Sequence, residues 1–148
     1  KEDIPIPFAL SLHAPTDEER KELMPVAHQY TLAETLDACR EYFRQTGRRV
    51  TFEYSLVKGK NDTEEQARKL AKLLAGMNCH VNLIPINPVE EREYELSDSD
   101  SVEKFKSTLA KYHINATIRK SMGSDIDAAC GQLRRKYAFH HQEDSHAF

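Results

Sequence analysis

The chain has 148 residues, 39% of them hydrophobic, and a formal net charge of −3, enough for one globular domain with a sizeable core. No apolar run approaches the roughly 20 residues of a membrane span, and Lys1-Glu2-Asp3-Ile4-Pro5 has no signal-peptide shape. The slightly acidic balance excludes attraction of nucleic acid by the whole surface, so such a partner would need a local basic face.

Residues 8–12 form the first segment with strand character, and Ser11-Leu12-His13-Ala14-Pro15 marks its exit. Thr16-x-x-Glu19 then places a capping oxygen three residues before a glutamate, and Thr31-x-x-Glu34 repeats the signal ahead of a helical stripe of Leu32, Leu36, Cys39 and Phe43. A second strand is predicted over 50–57, leading into Lys58-Gly59-Lys60-Asn61-Asp62. Asp62-x-x-Glu65 opens the next helix, whose buried side is Ala67, Leu70 and Leu74. The third strand, 81–86, ends on Asn87-Pro88. Asp100-x-x-Glu103 introduces a helix with Val102, Phe105 and Leu109 on one face, and 114–119 is the fourth strand. Beyond Lys120 the pattern breaks: 121–133 reads as an ordered loop and 134–148 as a charged, solvated tail.

Strands alternating with helices in this rhythm predict an α/β fold with a parallel sheet. Four strands do not close a barrel, so the strand at 8–12 is expected at an open edge. Ligands of parallel α/β folds sit at the C-terminal ends of strands, where loops present polar groups without disturbing the sheet. That rule selects Ser11-Leu12-His13-Ala14-Pro15, Lys58-Gly59-Lys60-Asn61-Asp62 and Asn87-Pro88, all three of which should open on one face. His13 is a base, a stacking ring or a packed turn residue on these grounds, and Asn87 either a fixed amide or a turn opener.

The three cysteines, Cys39, Cys79 and Cys130, lie far apart without CxxC spacing, so neither a disulfide framework nor a metal site is written here, and a reducing cytoplasmic setting fits. Cys39 lies on an apolar helical stripe and Cys79 enters a hydrophobic strand, as small core residues do. Cys130 instead stands between Ala128-Ala129 and Gly131, with Arg134, Arg135 and Lys136 favouring a thiolate and Asp125 and Asp127 opposing it. It reads equally as a reactive thiol or a buried turn cysteine.

Leu10-Ser11-Leu12-His13-Ala14-Pro15, Val81-Asn82-Leu83-Ile84-Pro85-Ile86-Asn87-Pro88 and Gly123-Ser124-Asp125-Ile126-Asp127-Ala128-Ala129-Cys130-Gly131-Gln132-Leu133 resemble the radical S-adenosylmethionine adenine-C2 RNA methyltransferases. Gly47-Arg48-Arg49-Val50-Thr51-Phe52-Glu53-Tyr54 and Val57-x-x-x-Asn61-Asp62 fit the same family between them. The resemblance runs from about Phe8 to Leu133. It implies the C-terminal part of a radical S-adenosylmethionine partial (β/α) barrel over residues 1–133, ending in the loop of a methyl-carrier cysteine, with 134–148 as a tail.

It further implies that Ser11, Leu12, His13 and Asn87 contact S-adenosylmethionine and that Cys130 carries the methyl group. In that family a cysteine thiolate takes methyl from one S-adenosylmethionine. A second molecule, cleaved by a 4Fe-4S cluster, then activates the methyl for addition to C2 of adenine, an electron-poor carbon with no nucleophilic character of its own. The implied partners are ribosomal RNA, transfer RNA and an electron donor for the cluster, with no membrane. The family's CxxxCxxC motif is absent, so the cluster ligands, the cysteine that releases the product and the general base are expected upstream, and this chain alone is expected to be inert.

Where the family has a glycine-containing loop after Asn87-Pro88, this chain has Val89-Glu90-Glu91-Arg92-Glu93-Tyr94, and Met122-Gly123 stands where arginine-glycine is usual. Lys58, Lys60, Arg119, Lys120, Arg134 and Arg135 are the candidates for RNA contact, each with solvated surface charge as its alternative. Two rival readings stand beside the enzyme. One is a truncated, non-catalytic module that binds S-adenosylmethionine or RNA. The other is an unrelated hydrolase built on Ser11, His13 and Cys130, against which the lack of a G-x-S-x-G elbow counts.

Overall fold

The computed structural model describes residues 7–86 and 97–119. In chain order these form β1 (Phe8–Ser11), α1 (Asp17–Leu23), a 3-10 turn (Pro25–His28), α2 (Leu32–Thr46), β2 (Val50–Leu56), α3 (Glu64–Leu73), β3 (Cys79–Pro85), α4 (Ser99–Lys111) and β4 (Asn115–Ile118). The described strands make one sheet in the order β1-β2-β3-β4, and every neighbouring pair is parallel. The α/β class with parallel strands is thus the fold observed, and each predicted strand appears within a residue or two of its expected bounds.

The strict alternation in β2 explains which face is covered. Val50, Phe52, Tyr54 and Leu56 are buried while Thr51, Glu53 and Ser55 are only partly so. In β3, Cys79, Val81 and Leu83 repeat the pattern. These inward residues join Leu32, Leu36 and Cys39 of α2, Ala67, Leu70 and Ala71 of α3, and Val102, Phe105 and Leu109 of α4 in a single core cluster. The Tyr54 and Phe105 rings meet at 5.2 Å between centroids. All the helices of that cluster therefore cover one face. Consecutive strand order with helices on one side is the winding of a barrel wall; a doubly wound sheet reverses its order and takes helices on both faces.

Three local expectations are corrected. Phe43, expected on the buried stripe of α2, is exposed, and Tyr42 turns inward to stack on Phe8 at 4.9 Å. From Cys39 both the third and the fourth following residue lie near the same face, and the chain uses the third. The cap of α3 is Thr63, which accepts from Gln66 N, rather than Asp62. The cap of α4 is Asp98, accepting from Ser101 N, rather than Asp100. By contrast, Thr31 and Glu34 form the complete capping box, and Thr16 caps α1. Gly47 ends α2 in the left-handed conformation at φ +66°, its N–H bonded to Phe43 O, a position where a Cβ would be strained.

Among the described strands β1 pairs only with β2, so it is an edge of the sheet. On the helix side of that edge lies an apolar groove lined by Phe8, Leu10, Met24, Val26, Tyr30 and Ala38. Val26 and Tyr30 are largely exposed there.

Candidate functional site

At the end of β1 the chain makes a tight, heavily bonded exit. Ser11, the last strand residue, is exposed, and Leu12 is fully buried. Leu12 N donates to Glu53 O at 2.9 Å, so Leu12 still pairs with β2. His13 then adopts φ +62°, a left-handed conformation that is costly for a residue with a Cβ, by about 1–2 kcal/mol. Side chains from other elements hold it there. Arg20 Nε of α1 donates to Leu12 O at 3.2 Å, and Asn61 Nδ2 donates to His13 O at 2.7 Å. Ala14 and Pro15 are buried behind the turn.

The His13 ring is fixed as well as its backbone. Its Nδ1 accepts from Ser55 N at 3.0 Å, which is possible only when Nδ1 carries no proton. The neutral ring therefore holds its hydrogen on Nε2 and presents a donor. Burial, with the Arg20 cation as the next cause, draws its pKa below the ordinary histidine value, while Glu53 opposes the shift. The arrangement favours a neutral hydrogen-bonding ring over a proton carrier at neutral pH.

Beside this exit, the turn after β2 is organised by Asn61, which is 1% exposed. Its Nδ2 also donates to Ser55 O at 2.7 Å, and its Oδ1 accepts from Val57 N at 2.7 Å. Tyr54 Oη donates to Asn61 O at 2.9 Å. Asp62 accepts from Gly59 N and from Ser97 Oγ, tying the turn to the start of α4.

The face of the sheet away from the helices carries a polar row. Ser11, Glu53, Asn82 and Thr117 are register partners on the four strands. Asn82 Nδ2 donates to Glu53 Oε1 at 3.0 Å, and Thr117 Oγ1 donates to Asn82 Oδ1 at 2.8 Å. Among the described residues Glu53 Oε2 has no hydrogen-bond partner, and it lies 3.9 Å from Arg119. A strip of donors and acceptors on a parallel sheet, running directly from Ser11, is suited to a polar ligand. Sequence reasoning passed over Glu53, Asn82 and Thr117, although the polar alternation Thr51-x-Glu53-x-Ser55 was visible in it. Arg20 was also missed, because a buried guanidinium in a helix carries no spacing signal.

Ser11, Leu12 and His13 thus lie together at the C-terminal end of the sheet. Asn87 lies outside the described residues, but Ile86 N donates to Leu56 O at 3.3 Å, so the chain leaves β3 at the same end of the sheet. Cys130, Lys120, Arg134 and Arg135 also lie outside the described residues. Lys58 and Lys60 are exposed on the turn after β2, with Lys60 Nζ 3.7 Å from Glu22, and Arg119 is exposed at the end of β4.

Cys39 and Cys79 are buried in the helix-side core. Burial raises the Cys39 thiol pKa and pushes that of Cys79 up to about 11, so both stay protonated and unreactive. Among the described residues no cluster of histidine, cysteine or carboxylate side chains could hold a metal ion. Cys39 and Cys79, buried on the helix side and protonated, do not fit as ligands of a 4Fe-4S cluster. No described helix is long and apolar enough to cross a membrane.

No family model matches the chain. It is 64% identical over 135 residues to the probable dual-specificity RNA methyltransferase RlmN of Clostridioides difficile (strain 630), covering 91% of this chain and 39% of that protein. The protein of the same description from Clostridium acetobutylicum is 58% identical over 137 residues, covering 93% of this chain and 40% of that one. The chain thus spans about two fifths of the length of these relatives. Among solved structures, a radical SAM methyltransferase from Sphaerobacter thermophilus superposes with a TM-score of 0.86 at 45% identity, over 89% of this chain and 39% of that one. A domain of pyruvate-formate lyase-activating enzyme from Bacteroides vulgatus shares the fold at 16% identity, with a TM-score of 0.60 over 76% of this chain and 66% of that one.

Proposed function

Because this chain belongs to the family of radical S-adenosylmethionine RNA methyltransferases, we propose that it forms the part of such an enzyme that binds S-adenosylmethionine through Ser11, Leu12, His13 and Asn87 and carries the methyl group on Cys130. The acceptor is C2 of an adenine in large-subunit ribosomal RNA, and in transfer RNA as well. The setting is the cytoplasm, with an electron donor serving the cluster. What supports this reading is the 64% identity to an RNA methyltransferase across 91% of the chain, together with the exit at Ser11-Leu12-His13 on a parallel sheet.

The chain's own residues account for the first half of the reaction. The Cys130 sulfur, as thiolate, attacks the methyl carbon of the sulfonium; the new carbon–sulfur bond forms as the old one breaks, and its electron pair leaves on sulfur as S-adenosylhomocysteine. The radical chemistry that follows at the methyl group would require one-electron cleavage of a second S-adenosylmethionine, which a 4Fe-4S cluster held by residues outside this chain would supply. The neutral His13 ring holds its donor hydrogen on Nε2, and the loop carbonyls are already satisfied by Arg20 and Asn61.

The test is the full-length enzyme with Cys130→Ala. RNA methylation is expected to be abolished, while Cys39→Ala or Cys79→Ala costs mainly stability through a small core cavity. Peptide mass spectrometry after supply of methyl-labelled S-adenosylmethionine is expected to find the label on the Cys130 peptide. A label on another cysteine, or full activity of Cys130→Ala, overturns the assignment.

A further inference from the structure

We propose that Asn61 is the positioning residue of the S-adenosylmethionine site, its carboxamide holding His13 in the left-handed turn that presents Ser11, Leu12 and His13 to the ligand. This rests on the reading above that those residues contact S-adenosylmethionine.

The amide of Asn61 is fully committed, and its orientation is unambiguous. Both Nδ2 hydrogens go to carbonyls, those of His13 and Ser55, each at 2.7 Å, and Oδ1 receives the Val57 N–H at 2.7 Å. A flipped amide would set an oxygen against two carbonyl oxygens and a donor against a donor. Two of the three bonds stay between β2 and the turn that follows it. The third reaches across 48 residues of sequence to the carbonyl of the residue at φ +62°.

The His13 loop has a second tie to the same strand, since the ring accepts from Ser55 N while Asn61 takes Ser55 O. One side chain thus couples the backbone of His13 to the backbone beside its ring. Asn61 is 1% exposed, and its main-chain oxygen is held by Tyr54 Oη. It does not itself reach the open face; its effect passes through His13.

Asn61→Asp isolates the role, because it keeps the shape and replaces two donated bonds with a carboxylate oxygen facing two carbonyls. In the full-length holoenzyme without reductant, its dissociation constant for S-adenosylmethionine, read by equilibrium dialysis, is expected to rise at least tenfold. Affinity for a substrate RNA oligonucleotide is expected to stay within twofold, a separation that general loosening of the fold would not give. Thr63→Ala, which removes the α3 cap beside the same turn, is the control and is expected to leave both affinities unchanged.

Ser11→Ala and His13→Asn report on the underlying reading. If both bind S-adenosylmethionine as the wild type does, that reading fails and the proposal with it. If they lose affinity while Asn61→Asp does not, only the positioning role is overturned. Should Asn61→Asp not fold, Asn61→Ser is read in its place, and failure of both to fold makes Asn61 a residue of the fold alone and overturns the proposal, as does equal loss of both affinities.

Discussion

His13 has its conformation and its protonation state set by the same strand. In the folded chain its Nδ1 must stay unprotonated to accept from Ser55 N, and burial holds its pKa below the ordinary value. The unfolded chain takes up a proton near the usual pH of about 6.5, before the folded one does. The stability due to this histidine is therefore complete above that pH and is lost as pH falls from it toward the lower folded-state value. His80, shifted down by burial and by Arg49, acts with the same sign. The comparison that isolates His13 is thus wild type against His13→Asn, a residue that tolerates positive φ. Urea unfolding between about pH 7 and pH 5 should show a shallower loss of stability in the variant; equal slopes would mean that His13 titrates alike in both states. The exit at Ser11-Leu12-His13 was legible because an apolar run stops there before a proline. The left-handed turn was not, since it depends on Arg20 and Asn61, which lie 7 and 48 residues beyond His13 in sequence.

The start of α3 shows how overlapping local signals are decided by tertiary contacts. In Asp62-Thr63-Glu64-Glu65-Gln66 both Asp62-x-x-Glu65 and Thr63-x-x-Gln66 have cap spacing. Thr63 takes the cap because Asp62 is drawn to Gly59 N and to the buried hydroxyl of Ser97, 35 residues away. Thr63→Ala should cost about 1 kcal/mol of unfolding free energy. Asp62→Ala should cost about 1–3 kcal/mol, because it removes the acceptor of two hydrogen bonds, one of them buried. Denaturant titration of both variants decides it, and no loss of stability in Thr63→Ala would return the cap to Asp62. The same distinction governs legibility along the chain. Where the cap signal stands alone, as at Thr31, the start of the element was readable to the residue; where a side chain answers to a distant partner, only the element's existence was. The polar face lay between: alternation in β2 announced it, but the alignment of Glu53 with Asn82 and Thr117 needed the register of three strands.

At the scale of the molecule, parallel order and one-sided helices make β2 and β3 the best protected part of the sheet. Each has a strand on both sides, whereas β1 and β4 are edges among the described strands. Amide hydrogen exchange should therefore be slowest at Phe52, Tyr54, Val81 and Leu83, and faster in β1 and β4; uniform protection across the strands would contradict this sheet order. The parallel α/β class followed from the sequential rhythm of strand and helix and the partial barrel from the family resemblance, whereas the side of the sheet that the described helices cover emerged only with the packing of α2, α3 and α4. The order β1-β2-β3-β4 also bears on synthesis. Every strand pairs with its immediate successor, so when β2 leaves the ribosome its first partner has already been made, and the same holds for β3 and β4. Synthesis from the N-terminus can complete the wall one neighbour at a time, without holding an early strand open for one made after its successor.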